Sequence, residues 1–246
     1  MRLARSLRKR WLALRLLLGF PPDYVCRGVR VPYRLALNGD VRRQLSDGVY
    51  ELHEATLVEQ HLPPGKEVLE LGACIGVVSS LILSLRPVRL VSVEAMPSMA
   101  DAARQVVALN HRDAPWELVV MAVGPAGVSE ADFRWSPDLP LSGTVMPGDD
   151  MPVVLRVPVR TLAELTATHS MPRDAWLVMD IEGVELELAK NQRDALRHYA
   201  GIIAECHDTS DDSGPVSRSE VVRAIESAGF ALVRSLGATS VFLRLD

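Results

Sequence analysis

The stretch Lys66-Glu67-Val68-Leu69-Glu70-Leu71-Gly72-Ala73-Cys74-Ile75-Gly76 constrains the chain more than any other. Residues 67–71 form a short apolar run that predicts a buried strand. Small residues then make a tight turn, and residues 77–85, almost wholly apolar, predict a helix. Glycines at such a turn let backbone approach a ligand, and the helix start offers unpaired N–H groups. The next apolar run, 88–93, ends on Glu94, 22 residues after Gly72. A carboxylate at that spacing meets the ribose hydroxyls of a bound nucleotide. A nucleoside-containing cofactor is the first expectation.

The rest of the chain extends this alternation. A helix is expected at about 98–110 with Ser98 as N-cap, then a strand at 116–123. A strand at 175–181 leads to a helix reaching about 199, followed by a strand at 201–206 and a polar loop at 207–215. A capped helix at 217–228 carries the Ser217/Glu220 pair. Two β-rich runs, 230–236 and 240–245, close as an antiparallel hairpin. Strands separated by helices predict an α/β fold, a Rossmann-like doubly wound and mainly parallel sheet with that C-terminal hairpin.

Two regions break the pattern. Residues 23–50 hold short β-like runs, including 33–37, and Asn38-Gly39 reads as a hairpin turn; helical spacing resumes from Leu52 to Leu62. Residues 125–160 are rich in proline and glycine and read as an irregular insertion with one strand, 153–159, followed by a short helix at 162–165. The insertion is the expected acceptor lid, with Phe133 and Trp135 available to stack on a sugar or aromatic face; core packing of a loop is the equal alternative. The expected organisation is a basic helix at 1–20, a β/α extension at 21–62 and a cofactor-binding domain at 63–246.

Charge is unevenly spread. Six basic groups and no acid fall in residues 1–15, leaving 21 basic and 31 acidic groups, a net of −10, for the remainder. A body that acidic does not suit nucleic acid, whose binding rests on phosphate neutralisation. Residues 2–18 read as a basic amphipathic helix, suited either to peripheral membrane contact or to packing on its own domain or on a second subunit of a homo-oligomer. Arg15 interrupts the only apolar stretch near the start, so neither a spanning helix nor a signal peptide is expected. Cys26, Cys74 and Cys206 lie far apart, with no metal or redox spacing, and a reducing cytoplasm is the simplest setting.

The turn is not a full G-x-G-x-x-G, because Cys74 stands where a dinucleotide turn wants glycine near the pyrophosphate. Glu70, just before the turn, would repel phosphate but attract an ammonium group directly or through water. S-adenosylmethionine, with its ammonium, sulfonium and ribose, meets these features better than a nicotinamide. The remaining alternative is a cofactor-free domain whose acids solvate strand ends.

Residues 70–76 resemble the first motif of class I methyltransferases, and most closely that of the FkbM family, usually Asp-x-Gly-Ala-Asn-x-Gly. Val91-Ser92-Val93-Glu94-Ala95-Met96-Pro97 is similar to that family's second strand. Val178-Met179-Asp180-Ile181-Glu182-Gly183-Val184-Glu185 is similar to its distinctive Lys-x-Asp-x-Glu-Gly-x-Glu block. Cys74 and Glu70 depart from the usual Asn and Asp. The resemblance covers roughly residues 48–246. It implies methyl transfer from S-adenosylmethionine to a hydroxyl of a sugar, glycan or secondary metabolite, with N-methylation or a non-catalytic scaffold as alternatives. The expected cofactor set is Glu70, Gly72, Ala73, Cys74, Gly76, Glu94 and Ala95. Glu54 joins it by resemblance to a family acid packed over the cofactor, against a plain helix-surface glutamate.

Strand-end residues supply the expected chemistry. Asp180, Glu182 and His207 are the catalytic candidates, with His207 the natural base by its ordinary pKa or else a loop histidine making a local hydrogen bond. Glu205 and Asp208 lie nearby in sequence. Asp180, Glu182 and Asp208 have the oxygen donors for a divalent cation, but no compact motif exists and no metal ligand is assigned. Glu185 is expected to bind backbone N–H groups at its helix start.

Overall fold

The computed structural model describes residues 22–35, 37–136, 139–144, 153–211 and 213–246. The expected basic helix at 2–18 lies outside them. Among the described residues no helix is long and apolar enough to cross a membrane. The chain divides into two compact units, Met1–Tyr50 and Glu51–Asp246.

In the first unit β1 (Tyr24–Cys26) and β2 (Val29–Val31) pair antiparallel, and α1 (Gly39–Asp47) follows. Asn38-Gly39 is not a hairpin turn. The Asn38 side chain accepts the Val41 amide at 2.9 Å and caps α1, because residues 41–45 offer a helical apolar face in Val41 and Leu45. The run at 33–37 is likewise not a strand, being turn and bend where described.

The second unit opens with α2 (Leu52–His61). Then come β3 (Glu67–Leu71), α3 (Val77–Ser84), β4 (Arg89–Glu94), α4 (Pro97–Asn110) and β5 (Trp116–Val120). Ser98 is not the N-cap of α4. Pro97 occupies the first turn after Met96, where its fixed φ and missing N–H cost nothing. The expected strand at 116–123 splits, since β6 (Ala122–Val123) leaves for a second sheet.

The insertion is not irregular. Strands β7 (Glu130–Ser136), β8 (Leu139–Thr144) and β9 (Val153–Arg160) join β6 in a four-stranded sheet of order β6-β9-β7-β8. β7 pairs antiparallel with β9 from Glu130↔Pro158 to Trp135↔Val153. Next are α5 (Leu162–Thr168), β10 (Trp176–Met179), α6 (Glu185–Asn191), α7 (Arg193–Leu196) and β11 (Gly201–Glu205). The expected polar loop at 207–215 holds a small antiparallel pair, β12 (Thr209–Asp211) with β13 (Gly214–Val216). Helix α8 (Arg218–Ser227) starts as expected, with the Glu220 carboxylate accepting from the Ser217 amide at 2.9 Å and hydroxyl at 2.6 Å. The hairpin β14 (Phe230–Leu236) and β15 (Thr239–Arg244) ends the chain.

The main sheet runs β14-β15-β11-β10-β3-β4-β5. Its β11-β10-β3-β4-β5 part is parallel, and the hairpin is added antiparallel at one edge. It is the doubly wound α/β sheet that the alternation predicts. Side chains alternate between two apolar layers: Leu69, Leu71, Val91, Val93, Leu177 and Met179 face one cluster. Val68, Leu90, Trp176 and Val178 face the other, with Leu57 and Val58 of α2. Burial on both faces is why the central strands read as continuous apolar runs.

Candidate functional site

The C-terminal ends of β3, β4 and β10 meet at one place, where open α/β sheets put ligands. Gly72 and Ala73 both donate backbone hydrogen bonds to Val93 O, at 2.9 and 3.1 Å, and Asp180 N donates to Leu71 O at 2.9 Å. These bonds draw the turn, Glu94 and the Asp180 loop together. Gly72 has φ +91, and a Cβ there would lie 1.9 Å from Asp180 O; Gly76 has φ +80, and its Cβ would lie 2.8 Å from Ala103 Cα of α4. No other residue satisfies both the backbone angle and the space.

A cavity opens over this junction. It is lined by Gly72, Cys74, Glu94 and Ala95 from the expected cofactor set, by Asp180 and Glu182 from the expected catalytic set, and by Glu51 and Phe133. Three of its lining residues, Glu51 (φ 48), Cys74 (φ 47) and Glu182 (φ 51), hold left-handed backbone without being glycine. Such strain gathers at sites where the surroundings fix a costly conformation.

Glu94 is 7 % exposed and accepts backbone N–H groups from Cys74 at 2.8 Å and Met96 at 2.8 Å. Burial raises its pKa, and the bonds from Met96 and Cys74 oppose that rise. The acid thus pins the turn while its side chain borders the cavity. Glu70 does not line the cavity. It sits on the other side of the strand, where its Oε2 accepts from Ser79 Oγ at 2.6 Å and Ser92 Oγ at 2.5 Å, while Oε1 is buried without a hydrogen bond among the described residues. Burial pushes the Glu70 pKa up to about 7. Ala73 and Gly76 shape the turn from beneath: Ala73 is buried, and Gly76 admits α4.

Next to Asp180 and Glu182, His207 stands among carboxylates. Its Nε2 lies 3.6 Å from Asp180, 3.5 Å from Glu182 and 3.9 Å from Glu205, and its Nδ1 lies 3.3 Å from Glu185. Burial pulls the His207 pKa down, but the Glu185 hydrogen bond and the charges of Glu185, Asp180 and Glu182 outweigh it and lift it to about 10. Glu185 itself accepts from the Ile181 amide at 3.0 Å and the Gly183 amide at 2.8 Å, as expected of a residue at a helix start. Burial raises the Asp180 pKa, the charges of Glu51 and Glu205 add to this, and His207 opposes. Glu54 is no surface residue: it is 5 % exposed, and burial with the charges of Asp180 and Glu51 raises its pKa. Asp208 does not join the group, because its carboxylate accepts the Arg218 amide at 2.7 Å at the start of α8.

Glu51 is the residue that sequence reasoning missed. An acid at a helix start is ordinarily read as serving the helix dipole, and nothing else in its neighbourhood marked it. Phe133 is buried and also lines the cavity; the Trp135 side chain lies outside what is described.

Residues 70–232 match the methyltransferase FkbM domain. The chain belongs to the FkbM methyltransferase family. It is an S-adenosylmethionine-dependent methyltransferase. The site fits that cofactor: the cavity lining sets the Glu94 carboxylate beside the turn and, among the described residues, offers no basic side chain to hold a pyrophosphate. No curated protein sequence matches the chain. Among solved structures it is similar to magnesium protoporphyrin IX methyltransferase from Synechocystis with bound S-adenosylmethionine, at 12% identity over 85% of this chain and 86% of that one, TM-score 0.46. It is also similar to a TehB-like S-adenosylmethionine-dependent methyltransferase from Corynebacterium glutamicum, at 16% identity over 82% and 93%, TM-score 0.43.

Proposed function

We propose that this methyltransferase methylates a hydroxyl oxygen of a small molecule or glycan. One observation carries the reading: a single cavity holds both the glycine turn with Glu94 and the strand-end acids Asp180 and Glu182. In this reading Gly72, Cys74, Glu94 and Ala95 hold S-adenosylmethionine, with Glu94 at the ribose hydroxyls. Glu70 acts from beneath the turn, and Ala73 and Gly76 keep its shape. The cofactor supplies an activated methyl group, so the chain must align the acceptor and remove one proton.

Glu182 is the base in this assignment, and Asp180 borders the acceptor. His207 is the positioning cation that holds Asp180, Glu182 and Glu205 in one group, rather than the base. The acidic wall favours a hydroxyl over an amine. Carboxylates around an amine raise its pKa and hold it as ammonium, which has no lone pair to attack the methyl group. Phe133 offers a face for the acceptor. The acidic character of residues 16–246 agrees with an acceptor other than nucleic acid. A methyl-transfer screen with isotopically labelled S-adenosylmethionine against hydroxyl acceptors and matched amines tests the assignment. Label on hydroxyls alone supports it, and label on amines alone overturns it.

A further inference from the structure

The Asp180 end of the cavity gathers more carboxyl groups than one proton transfer uses. Glu51 at the start of α2, Asp180 after β10 and Glu205 at the end of β11 come from three distant parts of the chain. One carboxylate oxygen of each lies within 4.8 Å of the other two. Oxygens bound to one ion at about 2.0–2.6 Å stand at most about 4–5 Å apart, so the spacing suits a shared cation.

Two further observations point to a ligand. Asp180 Oδ1 is buried and makes no hydrogen bond among the described residues; its contact is the His207 ring at 3.6 Å. The Glu54 side chain is buried, with 5 % exposure, and close enough to Asp180, Glu51 and Glu205 to feel their charges. No hydrogen bond or ion pair reaches the Glu54 carboxylate among the described residues. A buried carboxylate left in that state is costly, and it becomes tolerable when positive charge enters beside it. His207 is the basic side chain that pairs with Asp180 and Glu205, and no Lys or Arg pairs with Glu54, Asp180 or Glu205 among the described residues.

We propose that Glu51, Asp180 and Glu205 bind one hard divalent cation, of the Mg2+ or Mn2+ class, with the Glu54 carboxyl nearby. An all-oxygen donor set selects such ions over soft ones. Where the acceptor is a hydroxyl, which is the reading proposed above, an ion here lowers the hydroxyl pKa and leaves Glu182 to take the proton.

The test is titration of the chelator-stripped full chain with MnCl2, followed by calorimetry and by the paramagnetic resonance of free Mn2+. The expected result is one ion per chain, displaced by MgCl2, with affinity lowered at least tenfold in Asp180→Asn and in Glu205→Gln. Circular dichroism and melting confirm that each variant folds; Glu51→Gln replaces one that does not. The proposal is overturned by no saturable binding up to about 1 mM, the weak end for carboxylate sites, or by affinity unchanged in the variants. It is also overturned if saturating S-adenosylhomocysteine abolishes Mn2+ binding, since that assigns the carboxylates to the cofactor's ammonium group. S-adenosylhomocysteine affinity, measured on the same protein, reports separately on the methyl-transfer reading.

Discussion

The amide of Cys74 donates a hydrogen bond to the carboxylate of Glu94 at 2.8 Å, joining the turn after β3 to the end of β4. The other oxygen of Glu94 accepts from Met96 at 2.8 Å. One side chain therefore fixes the shape of the turn and borders the space beside it. The Cys74 backbone, at φ 47, is held in a conformation that a cysteine rarely adopts alone.

Glu94→Ala tests this double role. It leaves two amides without their acceptor, at about 1–3 kcal/mol for each that stays dry. The expected outcome is a lower melting temperature together with at least a tenfold loss of S-adenosylmethionine affinity by calorimetry. Unchanged affinity in a folded variant would refute the ribose assignment.

Gly72→Ala is expected to be far more damaging than its chemistry suggests. The added carbon would lie 1.9 Å from Asp180 O, a backbone atom that cannot turn away, and φ +91 is strained for alanine. Gly127→Ala provides the control, because it shares a positive φ of +81 and has nothing within 4 Å. Backbone strain alone costs roughly 1 kcal/mol, so Gly127→Ala should melt a few degrees below the parent. Gly72→Ala should fail to fold or lose cofactor binding. Equal melting temperatures for the two would show that the close approach to Asp180 is unimportant.

These glycines also show how much the sequence could reveal. The run 67–71 is buried on both faces, so its boundaries coincide with β3 of the structure. The turn and Glu94 follow from spacing, since a strand, a turn and a crossover helix have little freedom of length. Asn38-Gly39 misleads because the same pair opens a hairpin or caps a helix, and only the partners of the following residues decide. The insertion misleads only in part: the run 153–159 is legible as β9, whereas β7 and β8 form through pairing with distant strands, and Pro140 and Gly143 argue locally against β8. The acidic wall is hardest to foresee. Asp180 and Glu205 are brought together by the pairing of β10 with β11, and Glu51 by the packing of α2 against β11 and β15, which no local pattern encodes.

Glu70 gives a dependence on pH. Burial moves its pKa from 4.5 to about 7 in the folded chain, against the hydrogen bonds from Ser79 and Ser92. Below the lower value both folded and unfolded chains hold the proton, and this group does not affect stability. Between the two values the unfolded chain has released the proton and the folded chain has not. Stability therefore falls as pH rises, by on the order of 3 kcal/mol in all, and levels off above the folded value. Glu70→Gln keeps an oxygen for both serine hydroxyls and removes the titration. The difference in melting temperature between variant and parent should grow from pH 4.5 to 7 in the variant's favour, and a difference that does not vary with pH would exclude the shift.

Phe133 offers a test of whether the insertion takes part in acceptor binding. It belongs to β7 of the insertion, is 7 % exposed, and lines the cavity that also holds Gly72 and Asp180. If the insertion shapes acceptor binding, trimming this ring should weaken the acceptor and spare the cofactor. Phe133→Leu keeps the strand apolar, so the sheet should survive at a cost below about 1.5 kcal/mol. The expected result is a KM for the acceptor raised several-fold, with the S-adenosylmethionine affinity within twofold of the parent. A ring stacked on a sugar or aromatic face contributes through area and orientation, and leucine replaces only the area. Loss of cofactor affinity with an unchanged acceptor KM would move Phe133 to the cofactor side and remove the insertion from acceptor recognition.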